Sequence, residues 1–201
     1  MLRVTSGTVR GFKLDVPKVE AVRPPLEMAR QAIFNILGQD LEGFRAADLF
    51  AGSGVMGIEA LSRGASAVLF VELDRAAVAC IRKNLEKTRM SDKATVVPAD
   101  AFHAWRYIDE AAPLDLVFLD PPFELIRAAE SRERVTALVD GLFESPALAG
   151  DAVVILRVPK DASLEPLPAR AVLADDRVYG QSRVLFFERA REGGEGAPGN
   201  G

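Results

Sequence analysis

The chain is nearly without thiol and imidazole: it has one cysteine, Cys80, and one histidine, His103. A lone cysteine forms no intramolecular disulfide, and one cysteine with one histidine builds no thiolate zinc site. A disulfide scaffold and a zinc-centred fold are both excluded, and no metal is expected. Cys80, inside AAVACI, reads as a small buried apolar residue. Long hydrophobic runs are also missing, since nothing approaches the roughly eighteen uninterrupted apolar residues of a membrane span. The opening MLRVTSGTVRG has no apolar segment of the secretory type. The expected compartment is the cytoplasm. No internal repeat is visible.

Apolar residues make up 49% of the 201, enough for one domain or one domain with a small appendage. The net charge of −4 argues against a protein coated in basic surface, but the charge is uneven. Residues 1–30 hold Arg3, Arg10, Lys13, Lys18, Arg23 and Arg30 against Asp15, Glu20 and Glu27, and the remainder is net acidic. A local basic face suits a ligand with dispersed phosphates touched from one side. An ordinary solvated surface would look the same.

LRVTSG and FKLDVP, joined by Thr8, Val9, Arg10 and Gly11, read as a β-hairpin. Pro24 and Pro25 open a helix, LEMARQAIFNILG, in which Ala29, Ile33, Ile36 and Leu37 recur at helical spacing before Gly38. Strands and helices then alternate. Strands at 46–50, 67–72, 94–99 and 114–120 are each followed by a helical pattern, the last over 133–143, and a strand at 152–158 comes next. The runs at 169–174 and 182–188 suit an antiparallel hairpin. Such alternation implies an α/β fold with a mostly parallel sheet covered on both faces. Three parts are expected: an extension over 1–40, a main domain over 41–190, and a tail over 191–201 too poor in apolar residues to fold.

The first strand runs into DLFAGSGVMG (48–57), where Gly52, Gly54 and Gly57 spell G-x-G-x-x-G. Glu72 ends the next strand, at the distance of a carboxylate that receives ribose hydroxyls. The glycine pattern alone is weak evidence, and a nicotinamide dehydrogenase competes. Asp48 weighs against it. A dinucleotide would set its pyrophosphate at this loop, where a nearby carboxylate costs on the order of 1–4 kcal/mol. S-adenosylmethionine brings an ammonium and a sulfonium instead, and a carboxylate favours both. Phe50, Ala51 and Ser53 of the loop, with Leu73 after Glu72, complete the expected cofactor lining. Asp100, beyond the third strand, is placed to accept an adenine amine, with Ala101 or Phe102 against the ring. Taken alone, Asp100 also suits an N-cap.

The most specific signal is Asp120-Pro121-Pro122-Phe123. Two prolines cannot extend a sheet, so they stiffen the chain as it leaves the strand. Asp120 is thereby held at the sheet's carboxyl edge, the Pro121 carbonyl is a second fixed acceptor, and Phe123 offers a flat face. An amine on a purine ring is a poor nucleophile, because its lone pair is delocalised. Two acceptors can bind its N–H groups and turn the lone pair toward a sulfonium methyl. Phe123 would stack on a flipped-out base, worth ~1–3 kcal/mol. No general base stands out, and the methylated amine can lose its proton to water or Asp120. His103 and Trp105 read as packing residues, and Tyr179-Gly180 as a turn.

Together, DLFAGSG, GIEALSRGA, VE, DLVFLDPPF and YGQSRVLFFE resemble the RsmD-like methyltransferases, as do SGTVRGFKLDVP and RPP…ARQAIFN near the start. The resemblance covers nearly the whole chain except the tail. It implies a Rossmann-like, class I S-adenosylmethionine-dependent methyltransferase fold. The seven-stranded, mostly parallel sheet would carry a reversed C-terminal hairpin and a small N-terminal hairpin that grips RNA. It implies methylation of a guanine N2 in 16S ribosomal RNA, in a partly assembled small subunit. Asp48, Gly52, Gly54, Glu72 and Asp100 match its cofactor positions, and Asp120 to Phe123 its catalytic motif. Arg10, Arg23 and Arg30 match its basic positions, and Lys13 joins them as an RNA-contacting candidate. The family usually reads R-P-T-x-D-R-V-R-E near the first helix, whereas this chain has Pro25, Met28 and Gln31 at the Thr, first later Arg and Glu. Adenine N6 methylation of DNA or RNA, and a nicotinamide-binding module, are the alternatives.

Overall fold

The computed structural model describes residues 2–17 and 24–190, with the backbone alone for 24–26. Lys18, Glu20, Arg23 and the tail over 191–201 lie outside the described residues.

Seven strands form one sheet: β1 (Arg45–Leu49), β2 (Ala67–Glu72), β3 (Ala94–Pro98), β4 (Leu114–Leu119), β5 (Leu148–Pro159), β6 (Ala171–Tyr179) and β7 (Ser182–Arg189). Their order is β3-β2-β1-β4-β5-β7-β6. The first five run parallel, and β7 inserts antiparallel between β5 and β6. The helices are α1 (Pro24–Leu37), α2 (Val55–Ser62), α3 (Arg75–Thr88), α4 (Trp105–Ala111), α5 (Phe123–Arg127) and α6 (Ala129–Glu144). Among the described residues, no helix is long and apolar enough to cross a membrane.

Strand alternation divides the core between the two sheet faces. In β4, Leu116 and Phe118 join one cluster with Ile33 and Phe34 of α1, Ile58 of α2 and Ile81 of α3. Val117 and Leu119 join the other, with Ile108 of α4 and Val135, Leu138 and Leu142 of α6. Both faces are covered, so the central strands are mostly apolar. The rings of Phe34 and Phe118 meet at 5.6 Å.

Strand β6 differs from the expected 169–174 and runs on through Asp175, Asp176 and Arg177. It is an edge strand, and its outer charges are matched locally. Arg177 pairs with Asp175 at 2.8 Å and Arg183 of β7 with Asp176 at 2.6 Å. Charge on an exposed edge also discourages pairing with another sheet. Tyr179 ends β6 opposite Ser182, and Gly180, at φ 60, forms the β6–β7 turn with Gln181.

The expected N-terminal hairpin is reduced to a single antiparallel bridge, Arg3 to Lys13. Val4 N–H donates to the Phe12 carbonyl and Leu14 N–H to Leu2, both at 3.0 Å. Leu2, Val4 and Leu14 are buried in the same cluster as α1 and α2. A buried carboxylate fastens this segment: Glu59 of α2, fully enclosed, accepts from the backbone N–H of Thr5 and Ser6 and from the Thr5 hydroxyl.

Candidate active site

The order of the sheet reverses between β1 and β4, and ligands of open α/β sheets sit beyond the strand ends at such a point. Leu49 pairs with Leu119 there, so Phe50 and Asp120 leave the sheet side by side.

The chain turns sharply after β1. Phe50 has φ 66, a left-handed conformation uncommon for a side chain of its size. Gly54 caps α2 at φ 75, where glycine adopts the turn without strain. Gly57 serves close packing, since a Cβ there would lie 2.3 Å from the Phe70 ring. Asp48 is 1% exposed, and its Oδ2 accepts the Gly57 N–H at 3.0 Å, which ties β1 to α2. Glu72 braces the loop, as Oε2 accepts from Gly52 at 2.7 Å and Oε1 from Asp74 at 2.8 Å. Each Glu72 carboxylate oxygen has a second lone pair to offer.

Around this loop, Ala51, Ser53 and Ala101 are buried and Leu73 is exposed. Asp100 takes up the N-cap role, accepting from Phe102 N–H at 3.0 Å, and its other oxygen meets His103 Nδ1 at 3.1 Å. Phe102 sets its ring edge-on to Phe50 at 5.4 Å, with the Arg134 guanidinium 4.2 Å from its centre. The sequence shows one helical pattern after the strand at 94–99. Instead a short 3-10 turn, Ala101–His103, precedes α4. Trp105 packs closely on Gly141 of α6, as expected of a packing residue.

Beyond β4, Pro121 is buried and Pro122 exposed, and Pro122 caps the short helix α5 that opens with Phe123. Sequence reasoning missed this helix, whose single turn has no periodicity to read. The Asp120 side chain is 30% exposed rather than sunk in the interior. It borders a cavity of about 60 Å³ with Arg30, Ser53, Val55, Met56 and Arg157. Sequence reasoning also missed Arg157 of β5. Its Nε donates to Asp120 Oδ1 at 2.6 Å, its Nη1 donates to Ser182 Oγ at 3.0 Å, and its guanidinium lies 4.8 Å from the Phe123 ring centre. The signal was present, for AVVILRV carries one cation within an otherwise apolar strand.

The four basic candidates separate. Arg10 and Lys13 are exposed, and Arg23 lies outside the described residues. Arg30 corrects the expectation of a surface contact, because it is 3% exposed. Its Nη2 donates to the Arg3 carbonyl at 2.7 Å, and its Nε lies 3.9 Å from Glu59. Helical spacing turns it inward beside Ala29 and Ile33. Burial lowers its pKa from the ordinary guanidinium value, with Glu59 opposing. Among the described residues, its Nε and Nη1, and Ser53 Oγ, are buried without a hydrogen-bond partner. All sit on residues lining the cavity beside Asp120.

This geometry can be set beside known proteins. A family model described as Conserved hypothetical protein 95 matches residues 2–188. Ribosomal RNA small subunit methyltransferase D of Escherichia coli (strain K12) is 32% identical over 192 residues, covering 96% of this chain and 92% of that protein. The chain belongs to this methyltransferase family. A hypothetical protein of Thermus thermophilus, TTHA0928, has a solved structure that superposes with a TM-score of 0.74 at 26% identity, covering 94% of this chain and 99% of that one. The methyltransferase domain of METTL16 shares the fold alone, at a TM-score of 0.67 and 18% identity over 89% of each chain. The fold is that of the class I S-adenosylmethionine-dependent methyltransferases, with the reversed C-terminal strands that the sequence led us to expect.

Proposed function

We propose that the chain transfers a methyl group from S-adenosylmethionine to the exocyclic N2 amine of a guanine in 16S ribosomal RNA, within a partly assembled small subunit in the cytoplasm. One observation carries the reading: a partly exposed Asp120, stiffened by Pro121 and Pro122 and flanked by Phe123, stands beside a glycine loop at the sheet's switch point.

The residues present fit the cofactor. Glu72, braced by two backbone N–H groups, retains lone pairs for a ribose diol. Phe50, Leu73, Ala101, Phe102 and Asp100 border the place for an adenine. Gly52 lets the backbone approach a ligand, and Asp48 lies behind the loop as an anion that favours cationic groups. The donors of Arg30 and Ser53 that lack a hydrogen-bond partner among the described residues suit a carboxylate, which the methionine end supplies. When bound, S-adenosylmethionine supplies a methyl group activated by a sulfonium.

The chain's own residues perform the rest. Asp120 and the Pro121 carbonyl accept the two N–H groups of the amine and orient its lone pair. Phe123 offers its ring to the base. Asp120 or water takes the proton released after transfer. Arg10 and Lys13, exposed on the N-terminal segment, contact phosphates.

The test is a labelled-methyl assay on small subunits from cells lacking the protein, followed by nucleoside digestion. N2-methylguanosine is the expected product. N6-methyladenosine would replace the guanine reading with the adenine one, and no labelled nucleoside would remove both.

A further inference from the structure

Arg157 brings a full positive charge to the place where a methyl cation equivalent is to be delivered. Its Nε and Nη2 both lie 2.6 Å from Asp120 Oδ1. Among the described residues, no hydrogen bond to Oδ2 is formed. The guanidinium is held from two further directions, by Ser182 Oγ at 3.0 Å and by the Phe123 ring at 4.8 Å. Ser182 is 3% exposed and Arg157 only 17% in its side chain, so the pair is set into the protein rather than laid on its surface. Register makes this arrangement. Leu119 of β4 pairs with Leu156 of β5, which puts the following residues, Asp120 and Arg157, next to each other, and β7 brings Ser182 alongside.

We propose that Arg157 is a positioning residue for methyl transfer, acting through Asp120. By taking Oδ1 it fixes the plane of the carboxylate and leaves Oδ2 as the oxygen that accepts the amine N–H. By neutralising the carboxylate it makes the pair a net-neutral acceptor, which does not draw the sulfonium out of line as a bare anion would. Two contacts on one oxygen supply the orientation that alignment of a weak nucleophile requires. The role rests on methylation of an amine at Asp120, as proposed above.

A pair that works as one unit responds non-additively to substitution. In Asp120→Asn, the Arg157 charge loses its counter-ion and opposes the positive charge that grows on the amine. Removing the cation as well relieves that opposition while an amide oxygen remains as acceptor. The experiment measures kcat and KM on small subunits, S-adenosylhomocysteine affinity by calorimetry, and Tm, for Asp120→Asn, Arg157→Gln, Arg157→Lys and the Asp120→Asn/Arg157→Gln double variant. Expected are a fall in kcat of about 1,000-fold for Asp120→Asn and about 30-fold for Arg157→Gln, with KM within about twofold. Arg157→Lys, which keeps the charge, should stay within about fivefold of wild type. The double variant should turn over at least about tenfold faster than Asp120→Asn. S-adenosylhomocysteine affinity should be similar in all four.

A double variant no faster than Asp120→Asn, or coupling seen in Tm but not in kcat, overturns the role and leaves Arg157 as a structural partner. A wild-type protein that methylates no amine would instead overturn the function on which the role rests. An active wild type with independent substitutions overturns only the role of Arg157.

Discussion

Of the carboxylates that meet arginines in this molecule, Glu59 and Asp120 are used in opposite ways. Glu59, fully buried, accepts from Thr5 N, Thr5 Oγ, Ser6 N and both Nε and Nη2 of Arg63, with Arg30 3.9 Å away. Its acceptor capacity is spent inside the protein. Asp120, 30% exposed, gives one oxygen to one arginine. A buried charge is costly unless its hydrogen bonds are satisfied, so saturation marks the carboxylate that holds the fold. An unspent oxygen at a sheet edge marks the one that can receive a ligand.

That contrast can be broken from either side. The largest effect is expected at the open end. Asp120→Ala should lower methyl transfer by about 1,000-fold, with a smaller loss of Tm than at Glu59, because Asp120 is partly exposed and the core stays intact. A labelled-methyl assay with a thermal melt checks both. Glu59→Gln should do the reverse. It removes the buried counter-charge that Arg63 and Arg30 share and should cost about 3–5 kcal/mol of unfolding free energy in urea. The folded fraction should keep its turnover. A large loss of kcat at unchanged stability would erase the distinction between the two carboxylates.

Smaller effects sharpen the same comparison at the N-terminal segment that Glu59 anchors. Arg10→Ala with Lys13→Ala should weaken RNA binding and lower the slope of log affinity against log salt by about 0.7–0.9 for each phosphate no longer neutralised. An unchanged slope, measured by filter binding, would place the RNA elsewhere. Arg30, being buried, should not contribute to that slope.

The smallest effect belongs to Asp15, which anchors the same segment to α3 from its solvent side. Hydrogen bonds from Lys83 and then Lys87, each at 2.7 Å, hold its carboxyl below the ordinary 3.8, with burial opposing. A carboxyl lowered in the folded state stabilises above its ordinary value, and that contribution is lost as pH falls from there through the lower folded value. Asp15→Asn should therefore remove a small part of the acid destabilisation below about pH 4, less so at high salt. Urea titrations across that range at two salt concentrations measure it.

Much of the fold was legible in local pattern. The alternation of apolar β-runs with helical spacing located the parallel strands, and the final hairpin followed from its two closely spaced runs. Gly52, Gly54 and Gly57 were readable as a tight turn into a helix, and Asp120 to Phe123 as a rigid exit from a strand. What failed had non-local causes. Arg30 looked like a surface cation because charge counting ignores which way a helix faces. Strand β6 was shortened in the reading because Asp175 and Asp176 look like a break, whereas an edge strand accepts charges that Arg177 and Arg183 match.

The sequence by itself determined the order of elements and the chemistry at each strand end, since periods of two and 3.6 residues and the fixed φ of proline act over neighbours in the chain. Only the tertiary structure decided which charges meet. Asp120 and Arg157 are 37 residues apart and Ser6 and Glu59 are 53 apart. Strand register and helix packing join them, and the periods of any one segment do not reach that far.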